Sequence, residues 1–208
     1  MIYPKSLQKL IELLTKLPGI GPRQAARFAF FVLRENGNFA RDLSAALQNV
    51  QSQIVFCTQC FRSTENSGKA LCNFCGDLKR DMALIAVVEK ESDMQNLEKT
   101  GIYGGVYHVL GGVISPFDQD SPKKIHLKEL YTRVSSLLGA NKKCEVVLAT
   151  NPTSEGDTTA LYIERVLAPL QDKSTNLKIS KLGRGLSLGS ELEHVDEITL
   201  KNAFKNRN

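Results

Sequence analysis

Four of the chain's five cysteines form two matched pairs, Cys57-Thr58-Gln59-Cys60 and Cys72-Asn73-Phe74-Cys75, with eleven residues between them. A two-residue gap lets both sulfurs of a pair reach one ion, and two such pairs supply the four thiolate corners that Zn²⁺ accepts. The connecting segment, residues 61–71, is polar and carries Gly68, so it can turn back on itself. With four protein sulfurs the coordination sphere is closed to water, and the expected site is structural. Two other uses of four cysteines stay open, disulfides and an iron–sulfur cluster. Disulfides need an oxidising compartment, and the opening residues Met1-Ile2-Tyr3-Pro4-Lys5 lack a signal-peptide core. A redox dithiol would need only one pair. Cys144 opens the apolar run Val146-Val147-Leu148-Ala149 and reads as a small buried hydrophobe.

A second group capable of chemistry sits at strand ends. The run Ala83–Val88 finishes in Glu89, and a later run finishes in Thr150-Asn151-Pro152-Thr153-Ser154-Glu155-Gly156-Asp157. The carboxyl ends of strands in an α/β sheet are where such folds place functional groups. This part resembles the Toprim domain of topoisomerases, primases and some nucleases. The catalytic members of that family pair such a Glu with an Asp-x-Asp that gathers Mg²⁺ for phosphoryl chemistry. Here Asn151 and Thr153 stand about where the two aspartates would be. Glu155 and Asp157, a few residues on in a helix-opening context, could cap the helix or meet a basic partner. A Mg²⁺ site built from Glu89, Glu155 and Asp157 stays open, and the favoured reading is a Toprim-like interaction module. A Mg²⁺-dependent enzyme acting on phosphodiesters is the alternative.

A third group is basic. Leu17-Pro18-Gly19-Ile20-Gly21-Pro22-Arg23-Gln24-Ala25-Ala26-Arg27-Phe28 resembles a helix-hairpin-helix motif. Gly19 and Gly21 permit a tight turn. The free amides at the start of the second helix offer a phosphate site, and Arg23 and Arg27 lie four apart on one helical face. Contacts of this kind position a protein on DNA without reading bases. The plainer reading is a helix–turn–helix packing corner. The glycine-containing segment Gly183-Arg184-Gly185-Leu186-Ser187-Leu188-Gly189 has Leu188 where a dinucleotide fingerprint needs its third glycine, and no Gly-Lys-Ser/Thr follows. A flexible or tightly packed loop is expected there.

The elements that must position these groups follow from periodicity. Leu7, Leu10, Ile11, Leu14 and Leu17 predict a helix over 5–17, broken by Pro18-Gly19. Further helices are predicted over 22–33 and 39–54. Beyond the cysteines, strands at 83–88, 106–110, 144–150 and 178–182 alternate with helices at 92–100, 126–138 and 157–170, and a short helix closes the chain at 196–205. Alternation of this kind argues an α/β layer with a mostly parallel sheet. The expected divisions are a helix-hairpin-helix region over 1–53, a four-cysteine zinc finger over 54–80, a Toprim-like domain over 81–172, and a C-terminal strand, loop and helix over 173–208.

Charge supports a polyanion partner at one end. The net charge is +5, yet residues 1–55 hold seven Lys/Arg against three Asp/Glu, and residues 56–172 hold thirteen against fifteen. No apolar run reaches the roughly 20 residues of a membrane helix, and the cytoplasm is the default location.

Taken in order, five segments resemble the RecR family of bacterial recombination mediators over essentially the whole chain: Leu17–Pro22, the quartet ending in Cys75–Asp81, Tyr107–Pro116, Asn151–Ala160 and Gly189–Leu200. Gly189-Ser190 and His194 depart from the family's usual Gly-Gly and Tyr, and the stretch Phe117–Pro122 lacks its usual glycines. The resemblance implies a non-catalytic protein that helps, with RecO and RecF, to load recombinase onto single-stranded DNA. It implies dimers that pair into a tetrameric ring around DNA, with Arg23 and Arg27 facing the lumen and Glu89, Glu155 and their neighbours meeting a basic partner surface.

Overall fold

The structure is a computed structural model that describes residues 3–35, 37–186, 189 and 191–205. Ser187, Leu188 and Ser190, singled out in the sequence, lie outside the described residues. The chain divides into two compact units, Met1–Ile54 and Val55–Asn208.

The first unit contains three helices, α1 (Lys5–Leu14), α2 (Pro22–Arg34) and α3 (Gly37–Gln53). The first ends three residues before the predicted Leu17. The chain there tightens into turns in which Leu17 N–H donates to Leu14 O and Ile20 N–H to Leu17 O, each at 3.1 Å. Gly19 sits at φ +79°, a left-handed conformation that L side chains rarely adopt. Pro22 occupies the first turn of α2, where its missing N–H costs nothing. Ala25 and Ala29, one turn apart on α2, are the buried residues among those described in this unit.

The second unit is built on a four-stranded parallel sheet. Its strands are β3 (Asp81–Val88), β4 (Gly105–Val109), β5 (Cys144–Leu148) and β6 (Leu177–Lys181), in spatial order β4-β3-β5-β6. The helices α4 (Glu91–Lys99), α5 (Leu127–Gly139) and α6 (Ser154–Lys173) make the crossovers, and α7 (Glu197–Lys205) follows the sheet. The step from β3 to β4 runs one way across the sheet, while the steps from β4 to β5 and from β5 to β6 run the other way. Right-handed crossovers must then place α4 on one face and α5 and α6 on the other.

The buried side chains agree with that geometry. Ile85 and Val87 of β3 pack with Leu130 and Val134 of α5 and Ile163 and Leu167 of α6. Ala86 and Val88 pack on the opposite face with Met94 of α4. Strands buried on both sides read as continuous apolar runs, and for that reason Ala83–Val88 was recognisable in the sequence. The predicted α/β class with a mostly parallel sheet is the observed one. A two-stranded pair outside the predicted elements, β1 (Ile54–Phe56) with β2 (Ser63–Glu65), flanks the first cysteine knuckle.

Candidate functional site

The four cysteines converge. Cys57, Cys60, Cys72 and Cys75 are free thiols, all buried, with their sulfurs within 4.8 Å of one another. Cys60 Sγ and Cys72 Sγ are 3.5 Å apart. Four sulfurs ~2.3 Å from a common Zn²⁺ would stand ~3.8 Å apart, so the cage is of the right size and the donor set is suited to zinc. The backbone is wound around it. Phe61 N–H donates to Cys57 O at 3.0 Å and Gly76 N–H to Cys72 O at 2.9 Å, closing one turn at each knuckle, with Phe61 at φ +63°. Cys72 N–H points at Cys57 Sγ at 3.4 Å. The Cys60–Cys72 hydrogen bond holds the Cys60 thiol above its ordinary pKa and Cys72 below it. Four buried sulfurs cannot all ionise at such separations unless a cation joins them. Cys144 lies apart, buried in the core, where desolvation pushes its thiol up to about 11.

The cysteine knuckle also closes the sheet. β4 is an edge strand, and its unpaired backbone groups would otherwise invite another chain. Val109 N–H donates across that edge to Cys60 O at 2.9 Å, and Tyr107 O accepts from Arg133 Nη1 at 2.8 Å. Phe74, between two cysteines, lies under the guanidinium groups of Arg62 (4.8 Å) and Arg80 (4.5 Å). Arg80 in turn pairs with Glu98 of α4, which also accepts from Tyr107 Oη at 2.6 Å. Ser63 of β2 donates through N–H (2.5 Å) and Oγ (2.8 Å) to Glu91 at the start of α4. Phe61 stacks on His126 at 4.1 Å. His108 beneath it is fully buried, and desolvation lowers its pKa to about 3, so it is neutral.

Glu89 lies at the point where strand order reverses, between the carboxyl ends of β3 and β5, where open α/β sheets leave a crevice. The crevice has a volume of about 980 Å³ and is walled by Glu89, Asp93, Gly111, His126, Asn151 and Glu155 among others. Glu89 is 3 % exposed, and both its oxygens are engaged by one residue. Asn151 donates its backbone N–H to Oε1 (2.8 Å) and its Nδ2 to Oε2 (2.6 Å). The amide thus does internally what a cation would otherwise do for this carboxylate. Gly156 makes the close approach possible, because a Cβ there would stand 2.1 Å from Asn151 O and 2.8 Å from Glu89 Oε1. Thr153 is the N-cap of α6, its Oγ1 accepting from Gly156 N–H at 3.1 Å.

The three carboxylates grouped in the sequence do not act together. Glu155 lines the crevice with Glu89, whereas Asp157 turns to pair with Arg184 beside β6. That contact holds the Asp157 pKa below its ordinary value. Among the described residues, the acid, histidine and cysteine groups that could share an ion are the four cysteines and the exposed trio Glu191, Glu193 and His194. No local spacing in the sequence marks Gly156 or Arg133 for these contacts, or Asn151 as the partner of Glu89. Thr153 carried a legible signal, a capping side chain just ahead of an acidic first turn.

In the first unit, Gly19 and Gly21 form the turn and Arg23 and Arg27 project from α2. Both arginines are exposed, and neither pairs with a carboxylate among the described residues. Gly21, the residue before α2, provides no side-chain cap, so the Arg23 and Gln24 N–H groups that follow Pro22 are left uncapped. These groups and the two guanidinium groups share one end of a helix whose dipole favours anions.

A helix-hairpin-helix unit, a tetracysteine knuckle on a sheet edge and a Toprim-like sheet define a nucleic-acid-maintenance class of protein. Residues 7–51 match the family described as "RecR, helix-hairpin-helix", residues 83–182 match the Toprim domain, and residues 185–208 match "RecR, C-terminal". Whole-chain relatives agree. The chain is 40% identical over 206 residues to the recombination protein RecR of Cutibacterium acnes, covering 99% of this chain and 96% of that one. It is 42% identical over 207 residues to RecR of Moorella thermoacetica (100% and 98% covered) and 43% identical over 207 residues to RecR of Tropheryma whipplei (99% and 98% covered). The chain belongs to the RecR family of recombination proteins, and its role is in recombination and repair. No helix among the described residues is long and apolar enough to cross a membrane.

Proposed function

We propose that the chain is a non-catalytic, sequence-independent DNA-binding mediator. It would close as a clamp-like oligomer on DNA in the cytoplasm and, with RecO and RecF, help to load recombinase onto single-stranded DNA. The observation that carries this reading is the hairpin: an uncapped helix start and two exposed arginines, with no carboxylate partner among the described residues, follow a glycine turn and form an anion site without base-reading groups. One such site is weak, and several brought to one DNA by a ring gain avidity.

Self-association is supported by the apolar surface of the first unit. Phe39, Leu43, Leu47 and Val50 form a stripe along α3 and line a groove of about 880 Å³ with Leu14 and Phe31, all short of full burial. A second copy would remove that surface from water, as dimers pairing into a tetramer require. The four cysteines hold one structural zinc. The acidic crevice at Glu89 and Glu155 meets a basic partner, and Asp157, paired with Arg184 beside β6, offers such a partner a separate acidic contact.

Two experiments test the reading. Binding of a labelled oligonucleotide across a salt titration should weaken steeply with salt, and a flat salt response would overturn the hairpin site. A Mg²⁺-dependent enzyme is the competing reading, favoured only by the position of Glu89. DNA cleavage or synthesis that vanishes in Glu89→Ala would establish it in place of ours.

A further inference from the structure

Arg133 is a charged side chain in an unusual place. It projects from α5 into the seam between the cysteine knuckle and β4, and its Nη1 donates to Gln59 O (3.3 Å) and Tyr107 O (2.8 Å). Its Nε and Nη2 are buried and have no hydrogen-bond partner. No carboxylate pairs with it among the described residues. A buried guanidinium that leaves two donors unused and has no counter-ion is costly, and one needs a reason to persist. Gln59, which it holds, is the residue before Cys60. Burial lowers the pKa of its guanidinium, and negative charge on the Cys75, Cys60 and Cys57 sulfurs would raise it.

Four thiolates around one Zn²⁺ leave two negative charges in excess, in a site closed to water. We propose that Arg133 is the internal counter-charge of the metal-loaded knuckle, so that metal binding and the seating of the knuckle on α5 and β4 are one event. The inference rests on the zinc reading above. Without a metal to join the sulfurs, Arg133 remains a buried guanidinium with two unused donors and is a burden. In the loaded protein it offsets the excess charge, lowers the cost of keeping all four sulfurs ionised, and anchors the Gln59 carbonyl that leads into Cys60. It is a positioning residue and touches no ligand of the hairpin or the crevice.

The test compares full-length wild type, Arg133→Met and Arg133→Lys, each with zinc and after chelation. Zinc affinity is measured by competition with a chromophoric chelator, and thermal midpoints are measured in both states. Arg133→Met is expected to weaken zinc affinity by about 10- to 100-fold, the usual effect of removing a residue that supports metal ligands. It should shrink the zinc-dependent rise in midpoint while leaving the chelated midpoint unchanged or raised. Arg133→Lys, which keeps the charge, should retain most of the rise. Equal zinc affinity in wild type and Arg133→Met, or an equal loss of stability in both states including failure to fold, would mark a packing role and overturn the inference alone. A wild type that takes up no zinc would overturn the zinc reading and this inference with it.

Discussion

The two units of this chain solve the problem of stability differently. The second, Val55–Asn208, buries seventeen residues in its main cluster and covers the β4 edge of its sheet with a cysteine knuckle. The first, Met1–Ile54, buries two alanines among its described residues and leaves Leu17, Phe31, Leu47 and Val50 about half exposed or more. Hydrophobic stabilisation follows the apolar area removed from water, so the second unit draws far more of it from its own core, and the first has its apolar faces still to bury. The unit least complete alone is also the one that carries the exposed arginines. On the proposed function, a surface finished only by assembly would couple DNA contact to oligomerisation.

The contrast can be broken at several points. The largest effect is expected at the knuckle. Cys57→Ser should abolish stoichiometric zinc by metal analysis and lower the stability of the second unit by about 3 kcal/mol or more, because metal binding is linked to folding. Normal stability would mean that the knuckle is ornamental to the sheet. Next, Gly156→Ala places a methyl group against Asn151 O and Glu89. It should cost about 1–3 kcal/mol by chemical denaturation, the usual cost of overpacking.

In the first unit the effects should fall on association rather than on folding. Leu47→Glu should lower the solution mass measured by light scattering while changing the unfolding midpoint of the second unit little. An unchanged mass would remove α3 from the interface. Arg23→Ala/Arg27→Ala should reduce the slope of log affinity against log salt by about 2 per hairpin engaged, with the thermal midpoint unaltered. The smallest effect belongs to Asp157. Arg184 depresses its pKa, so the pair's contribution is present above the ordinary carboxylate value and is lost as pH falls through the lowered one. Both side chains are well exposed, and Asp157→Asn should cost about 0–1 kcal/mol at neutral pH, a difference that disappears in acid.

Much of this was legible in one dimension, for local reasons. Helices and strands announce themselves by apolar period, and Ala83–Val88 and Pro22–Arg34 were readable because their burial depends on neighbours three or four residues away or on both faces of a sheet. The cysteine quartet was readable because ligand spacing is itself a geometric statement. The short pair β1 and β2 was not, since its strands are three residues each and are defined by the knuckle between them.

What sequence alone determined is therefore the set of parts: a glycine turn with arginines beyond it, a tetrathiolate cage, and an α/β layer with a carboxylate at a strand end. The tertiary structure decided which parts meet. It gave Glu89 to Asn151, sixty-two positions away, instead of to Glu155 and Asp157. It sent Asp157 to Arg184, and it brought Arg133 to Gln59, seventy-four positions away. These pairings depend on strand order and crossover hand, which put distant segments at one edge or one switch point, and no local spacing encodes them.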